Sequence, residues 1–156
     1  VAILHGDLMI GDLVVLEQEH EVASTLITWN IRGHDANVEH AFHIHKYGDN
    51  TNGCTSAGPR YSMGTTTHMP LTCRPRICRT QRWYLGNFKS ISIGSFSDIL
   101  VKLSGSYSIL GRTLVVHAGK DDLGRGQKPE PEITINASAR PICGTMPNFL
   151  CATLFA

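Results

Sequence analysis

The residues with the clearest chemical potential are histidines. In His40-Ala41-Phe42-His43-Ile44-His45, imidazoles alternate with apolar side chains. Alternate side chains of a β-strand share a face, so His43 and His45 point together while Phe42 and Ile44 point the other way. Their backbone positions stand about 7 Å apart, which lets both rings reach one metal ion. His117 ends a second strand-like run, Thr113-Leu114-Val115-Val116-His117, on the face of Thr113 and Val115. Imidazole suits copper and zinc, and three such ligands leave a coordination position open for a small substrate. Taken alone, an H-x-H pair on a strand edge also describes two exposed histidines.

The elements that must position these rings read as strands. In Leu26-Ile27-Thr28-Trp29-Asn30-Ile31 the apolar residues Ile27, Trp29 and Ile31 share one face. Val14-Val15-Leu16 and Ile99-Leu100-Val101 read as further strand cores. Gly6, Gly11, Gly33, Gly105 and Gly111 punctuate the runs as turns between strands would. No segment carries a helical stripe, so the pattern predicts an all-β sandwich or barrel over a single domain, 1–156. Two stretches do not read as strands, about 47–84 and 118–139. Each follows a histidine-bearing strand, and long loops in a compact domain are often functional.

Composition narrows the function classes. The chain has 156 residues, enough for one well-filled core, and a formal net charge of +1, which predicts no nucleic-acid partner. No apolar run approaches the roughly 20 residues of a spanning helix, and no membrane partner is expected. The chain opens on Val1, which reads as processing or truncation. The expected compartment is the cytoplasm, with an extracellular one as the alternative. The five cysteines, Cys54, Cys73, Cys78, Cys143 and Cys151, leave at least one thiol over if the rest pair within the chain. Cys73 and Cys78 are open to three readings: a local disulfide, free thiols or a soft metal site. Asn136-Ala137-Ser138 is a glycosylation sequon, a triplet common by chance.

Three blocks carry a family resemblance. The segment from His40 to Pro59, with His43, His45, Gly48-Asp49-Asn50-Thr51 and Gly53-Cys54-Thr55-Ser56-Ala57-Gly58-Pro59, is similar to the strand and loop that open the metal site of copper/zinc superoxide dismutases. Gly111 to Gly126 resembles the family's last copper-ligand strand and the loop after it, and Asn136 to Gly144 its C-terminal segment. The resemblance implies a Greek-key β-sandwich or barrel of about eight antiparallel strands with two long functional loops. It implies copper on His43, His45 and His117, and Arg140 holding the superoxide anion. It further implies a disulfide between Cys54 and Cys143 and an outer carboxylate, Asp121, that orients a metal-bound histidine. His40 is expected to serve as a structural hydrogen-bonding histidine.

The pattern also breaks. Arg60 stands where the family places the histidine that bridges copper and zinc. A guanidinium has no lone pair for a metal. His68 keeps a zinc-ligand position, but counting back from Leu85-Gly86-Asn87 gives Gln81 and Tyr84 where a histidine and an aspartate belong. Zinc is therefore expected to bind weakly or not at all. The basic stretch from His68 to Trp83 lacks the resemblance and reads as a solvated loop, with attraction of an anion as the alternative. The implied partners are a second copy of the chain and a copper chaperone. Pro147 removes a strand donor in the segment that helps build the family's dimer, which puts the dimer in question. The expected function is copper-dependent superoxide dismutation weakened by loss of the bridging and zinc ligands. The alternative is an inactive copper-binding or copper-delivery interaction protein.

Overall fold

Alternation in β3, Thr25–Arg32, buries Thr25, Ile27, Trp29 and Ile31 and leaves their neighbours at least partly open to solvent. It lies between β2, Met9–Glu17, and β6, Ile91–Asp98. The computed structural model describes residues 1–6, 9–32, 40–61, 91–119 and 139–148. Its remaining strands are β1, Ala2–Gly6; β4, Phe42–His45; β5, Thr51–Cys54; β7, Thr113–Val116; and β8, Ile142–Thr145. Seven of the eight form one sheet in the order β4-β7-β8-β1-β2-β3-β6, and every pairing is antiparallel. No helix occurs among the described residues.

The sheet curls until its two ends share a core. Phe42 and Ile44 from β4 pack in one cluster with Ile27, Trp29 and Ile31 from β3, and with Leu4, Val14, Leu114 and Val116 between them. Fully burying an aliphatic or aromatic side chain of this kind contributes roughly 1.5–3 kcal/mol. The connection after β6 docks back onto the sandwich. Thr25 Oγ1 donates to Val101 O at 2.7 Å, and Leu103 N–H donates to Gln18 Oε1 at 2.9 Å. These contacts seat Val101, Leu103 and Ile109 in the core. Gly105 and Gly111 adopt φ of 76° and 72°, the left-handed region open to glycine, and turn the chain as expected.

Four local expectations need correction. Ile99-Leu100-Val101 is not a strand, because β6 ends at Asp98 and Ile99 and Leu100 face solvent. Gly11 lies inside β2 rather than in a turn. The stretch expected to be loop from about 47 to 84 contains β5, a short strand without apolar periodicity. Pro147 lies beyond β8, so its missing N–H interrupts no ladder.

Candidate metal centre

The β4–β7 ladder positions the site. Phe42 pairs with Val116, His43 with Val115, Ile44 with Leu114 and His45 with Thr113. Opposed residues project to the same side. Phe42, Ile44, Leu114 and Val116 fill the main core, while Val115 joins Cys54, Ala57 and Cys143 in a second cluster on the other side. His43 and His45 project to that second side. His117 follows β7 directly and is held by its N–H, which donates to Ala41 O at 2.7 Å, while Ala41 N–H donates to Gly119 O at 3.0 Å. One ring nitrogen from each of His43, His45 and His117 lies within 4.8 Å of the other two, and all three residues are buried.

The spacing fits one ion. His45 Nε2 stands 3.2 Å from His117 Nε2. Two nitrogens each about 2.0–2.1 Å from a metal stand about 3.3–3.6 Å apart at tetrahedral to trigonal angles. The His43 ring is centred 4.9 Å from that of His117 and 6.4 Å from that of His45. His45 Nδ1 donates to Gly58 O at 2.7 Å, which leaves the Nε2 lone pair for a metal. Burial is the main influence pushing the His45 pKa down to about 4, and the charges of Arg140, His43 and Arg60 add to it while the Gly58 bond opposes it. At neutral pH the ring is therefore neutral, as a ligand must be.

That shift has a stability consequence in the metal-free chain. The unfolded imidazole takes a proton near pH 6.5 and the folded one only near 4, so between those values acid favours the unfolded state. At one pKa unit per 1.36 kcal/mol, lowering the pH from 7 to 4.5 is expected to cost about 2–3 kcal/mol of folding stability. Urea unfolding at the two values reads it directly. A His45→Asn chain that loses just as much stability on acidification rules out His45 as the source.

Two guanidiniums border the triad. Arg140 Nη1 donates to Gly58 O at 2.9 Å and to Cys54 O at 3.3 Å, so Gly58 O accepts from both His45 and Arg140. Burial and the charge of Arg60 lower the Arg140 pKa. Arg60 faces His45 across an isolated antiparallel bridge. Cys54 and Cys143 are joined, with Cα atoms 5.6 Å apart. His40 Nδ1 donates to the His117 carbonyl at 3.0 Å, which makes it the supporting residue expected. His68, Gln81, Tyr84 and Asp121 lie outside the described residues, as do the basic stretch, Cys73, Cys78, Cys151 and Asn136.

The sequence reading missed the Gly58 carbonyl as the shared acceptor. The available signal was the glycine itself. Gly58 has φ of 72°, and a Cβ there would come within 2.4 Å of the Tyr47 ring. It also missed Arg112, which stacks 3.4 Å over the Tyr61 ring and donates to Lys46 O at 2.8 Å, bracing the chain on both sides of His45 and Arg60.

Buried imidazoles on a curled antiparallel sheet, flanked by an arginine and stapled by a disulfide, define an all-β metalloprotein. The chain belongs to the copper/zinc superoxide dismutase family, whose model, "Copper/zinc superoxide dismutase (SODC)", matches residues 10–146. It is 50% identical over 150 residues to "Superoxide dismutase [Cu-Zn]" of Humicola lutea, covering 94% of this chain and 95% of that protein. It is 49% identical over 150 residues to the proteins of the same name from Talaromyces marneffei and Claviceps purpurea (strain 20.1), with the same coverage.

Proposed function

We propose that the chain disproportionates superoxide, turning two superoxide anions and two protons into dioxygen and hydrogen peroxide, with copper on His43, His45 and His117. The observation that carries this reading is the buried triad, with His45 Nε2 3.2 Å from His117 Nε2. Copper bound by His43, His45 and His117 would supply one-electron redox chemistry. The chain's own groups bind and orient. The Gly58 carbonyl fixes the His45 tautomer. Arg140, anchored through Nη1 on the Gly58 and Cys54 carbonyls, holds the anion by charge and hydrogen bonds.

The finer parts of the reading follow from Arg60 and from the sequence. With no imidazole at the bridging position, water brings the peroxide protons, and turnover falls below that of family members with a bridge. Zinc binds weakly or not at all, with His68 the residual ligand. Asp121 orients a metal-bound histidine. One domain spans 1–156, a second copy and a copper chaperone are the protein partners, and the cytoplasm is the compartment. Among the described residues no helix is long and apolar enough to cross a membrane. Arg60 also favours a second reading, a copper-binding or copper-delivery protein without turnover.

Copper titration followed by a dismutation assay separates the readings. One copper per chain with turnover is expected. Binding without turnover favours the second reading, and no binding removes both. Arg60→His is expected to raise turnover, and an unchanged rate rules out the missing bridge as the main defect.

A further inference from the structure

The ladder that carries the metal site ends at His45, which pairs with Thr113. Arg112 is the next position on one side and Lys46 on the other. The Arg112 backbone is fixed twice. Its N–H donates to Ile109 O at 3.2 Å, and its carbonyl accepts from Met146 N–H at 2.8 Å. From that seat the side chain makes three contacts. Nε donates to Ser108 O at 3.2 Å, Nη1 donates to Lys46 O at 2.8 Å, and Cζ stands 3.4 Å from the centre of the Tyr61 ring. A guanidinium donates in its plane and stacks with its face, so one group serves all of them at once.

Two of those partners flank the bridge that holds a ligand. His45 and Arg60 face each other between Lys46 N–H donating to Pro59 O at 2.8 Å and Tyr61 N–H donating to Ile44 O at 2.9 Å. Lys46 follows His45 and Tyr61 follows Arg60, so Arg112 grips both segments of the bridge. Two residues before Arg60 lies Gly58, whose carbonyl holds the His45 ring through Nδ1. A guanidinium at position 60 has no lone pair, so residue 60 cannot tie this segment to a metal. Arg112 supplies a tie of another kind, and Tyr61 extends it to the main core, against which it packs. The charges that bear on the His45 ring are those of Arg140, His43 and Arg60, so Arg112 acts on it through contacts.

We propose that Arg112 is a positioning residue for the metal centre, a clamp on Lys46 and Tyr61 that holds the His45 ring in place against His117. The proposal deepens the copper reading of the triad and rests on it. One ion needs His45 Nε2 and His117 Nε2 at a fixed spacing, 3.2 Å here. Opening the clamp lets the segment 58–61 slide against β4, and the Gly58 carbonyl carries the His45 ring with it. On charge alone, loss of an arginine near a cation site tightens cation binding. Loss of positioning weakens it, so the sign of the change separates the two.

The test compares Arg112→Gln, Arg112→Lys and Tyr61→Leu with wild type in the full chain, by copper competition titration and Cu(II) electron paramagnetic resonance. Arg112→Gln is expected to weaken copper binding by roughly tenfold, the lower end for groups that support a ligand, and to alter the hyperfine splitting. Arg112→Lys keeps a donor for Lys46 O without the stacked plane, so it is expected to fall between, and it serves where the glutamine chain fails to fold. Tyr61→Leu is expected to reproduce part of the loss, and adding Arg112→Gln to it to cost less than in wild type. Arg32→Gln removes the same charge at an exposed position and is expected to change nothing. Variants that lose stability yet keep wild-type affinity and spectrum overturn the proposal, because the arginine is then merely structural. Nuclear magnetic resonance of the metal-free chain gives a second readout, the exchange with water of the His45 Nδ1 proton that Gly58 O holds. Faster exchange is expected in Arg112→Gln, and an unchanged rate overturns the clamp. This readout needs no copper, so it decides the clamp even if wild type takes up none, a result that would remove the copper reading by itself.

Discussion

Cys143→Ser is expected to lower the free energy of unfolding by about 4–5 kcal/mol. The Cys54–Cys143 bond joins residues 89 apart in sequence. In the chain-entropy account, opening a loop of that size returns this much freedom to the unfolded state. A domain of ordinary stability holds about 5–15 kcal/mol in total, so the serine chain should be close to its unfolding threshold. The bond also ties site to scaffold. Cys54 ends β5 and its carbonyl accepts from Arg140, while Cys143 lies in β8 and pairs with Val115 beside His43. Four residues after Cys54 comes the Gly58 carbonyl that holds His45 and Arg140. Loosening that support is expected to weaken copper binding by roughly 10–100-fold, the usual effect of disturbing groups behind metal ligands. Denaturant unfolding of wild type and Cys143→Ser, each with and without thiol reductant, measures the first effect. A loss under about 1 kcal/mol in the serine chain contradicts the loop-closure account.

The difference between legible and hidden elements has a physical cause. β3 was legible because Ile27, Trp29 and Ile31 face the core and period two shows in the letters. The H-x-H pair was legible for the same reason, with apolar Phe42 and Ile44 marking the opposite face. β6 was hidden because its pattern runs against that logic. Ile93 points outward and is 72% exposed, while Gly94 faces inward opposite Trp29. A Cβ on Gly94 would come within 2.4 Å of the indole, so the large ring of one strand needs the empty position of the next. The apolar run that was read as a strand, Ile99-Leu100-Val101, contributes only Val101 to the core, from the connection after β6. β5 was hidden because Thr51-Asn52-Gly53-Cys54 has three exposed positions and is anchored by its disulfide rather than by an apolar face. Arg60 was legible as a departure, but its role depends on bridge geometry. Only the pairing of two backbone bonds around His45 shows that its side chain leaves toward the triad.

His45→Ala is expected to weaken copper binding by more than roughly 100-fold, beyond what loss of a supporting group causes, and to abolish dismutation. His45 combines three roles. Its Nε2 lies 3.2 Å from that of His117, so it supplies one vertex of the triad. Its Nδ1 shares the Gly58 carbonyl with Arg140, so removing it also frees the turn that sets the guanidinium. It is 1% exposed, and truncation leaves a void beside two cations where a neutral ring had been. His40 provides the contrast. It is buried and bonded to the His117 carbonyl, so His40→Ala should lower stability yet keep one copper per chain. Equilibrium dialysis gives the copper stoichiometry of both chains, and the Cu(II) electron paramagnetic resonance spectrum reports the loss of one nitrogen donor in His45→Ala alone. Full, tight loading of His45→Ala would remove this residue from the ligand set. A His40→Ala chain that folds but loses copper would move that ring from support to ligand.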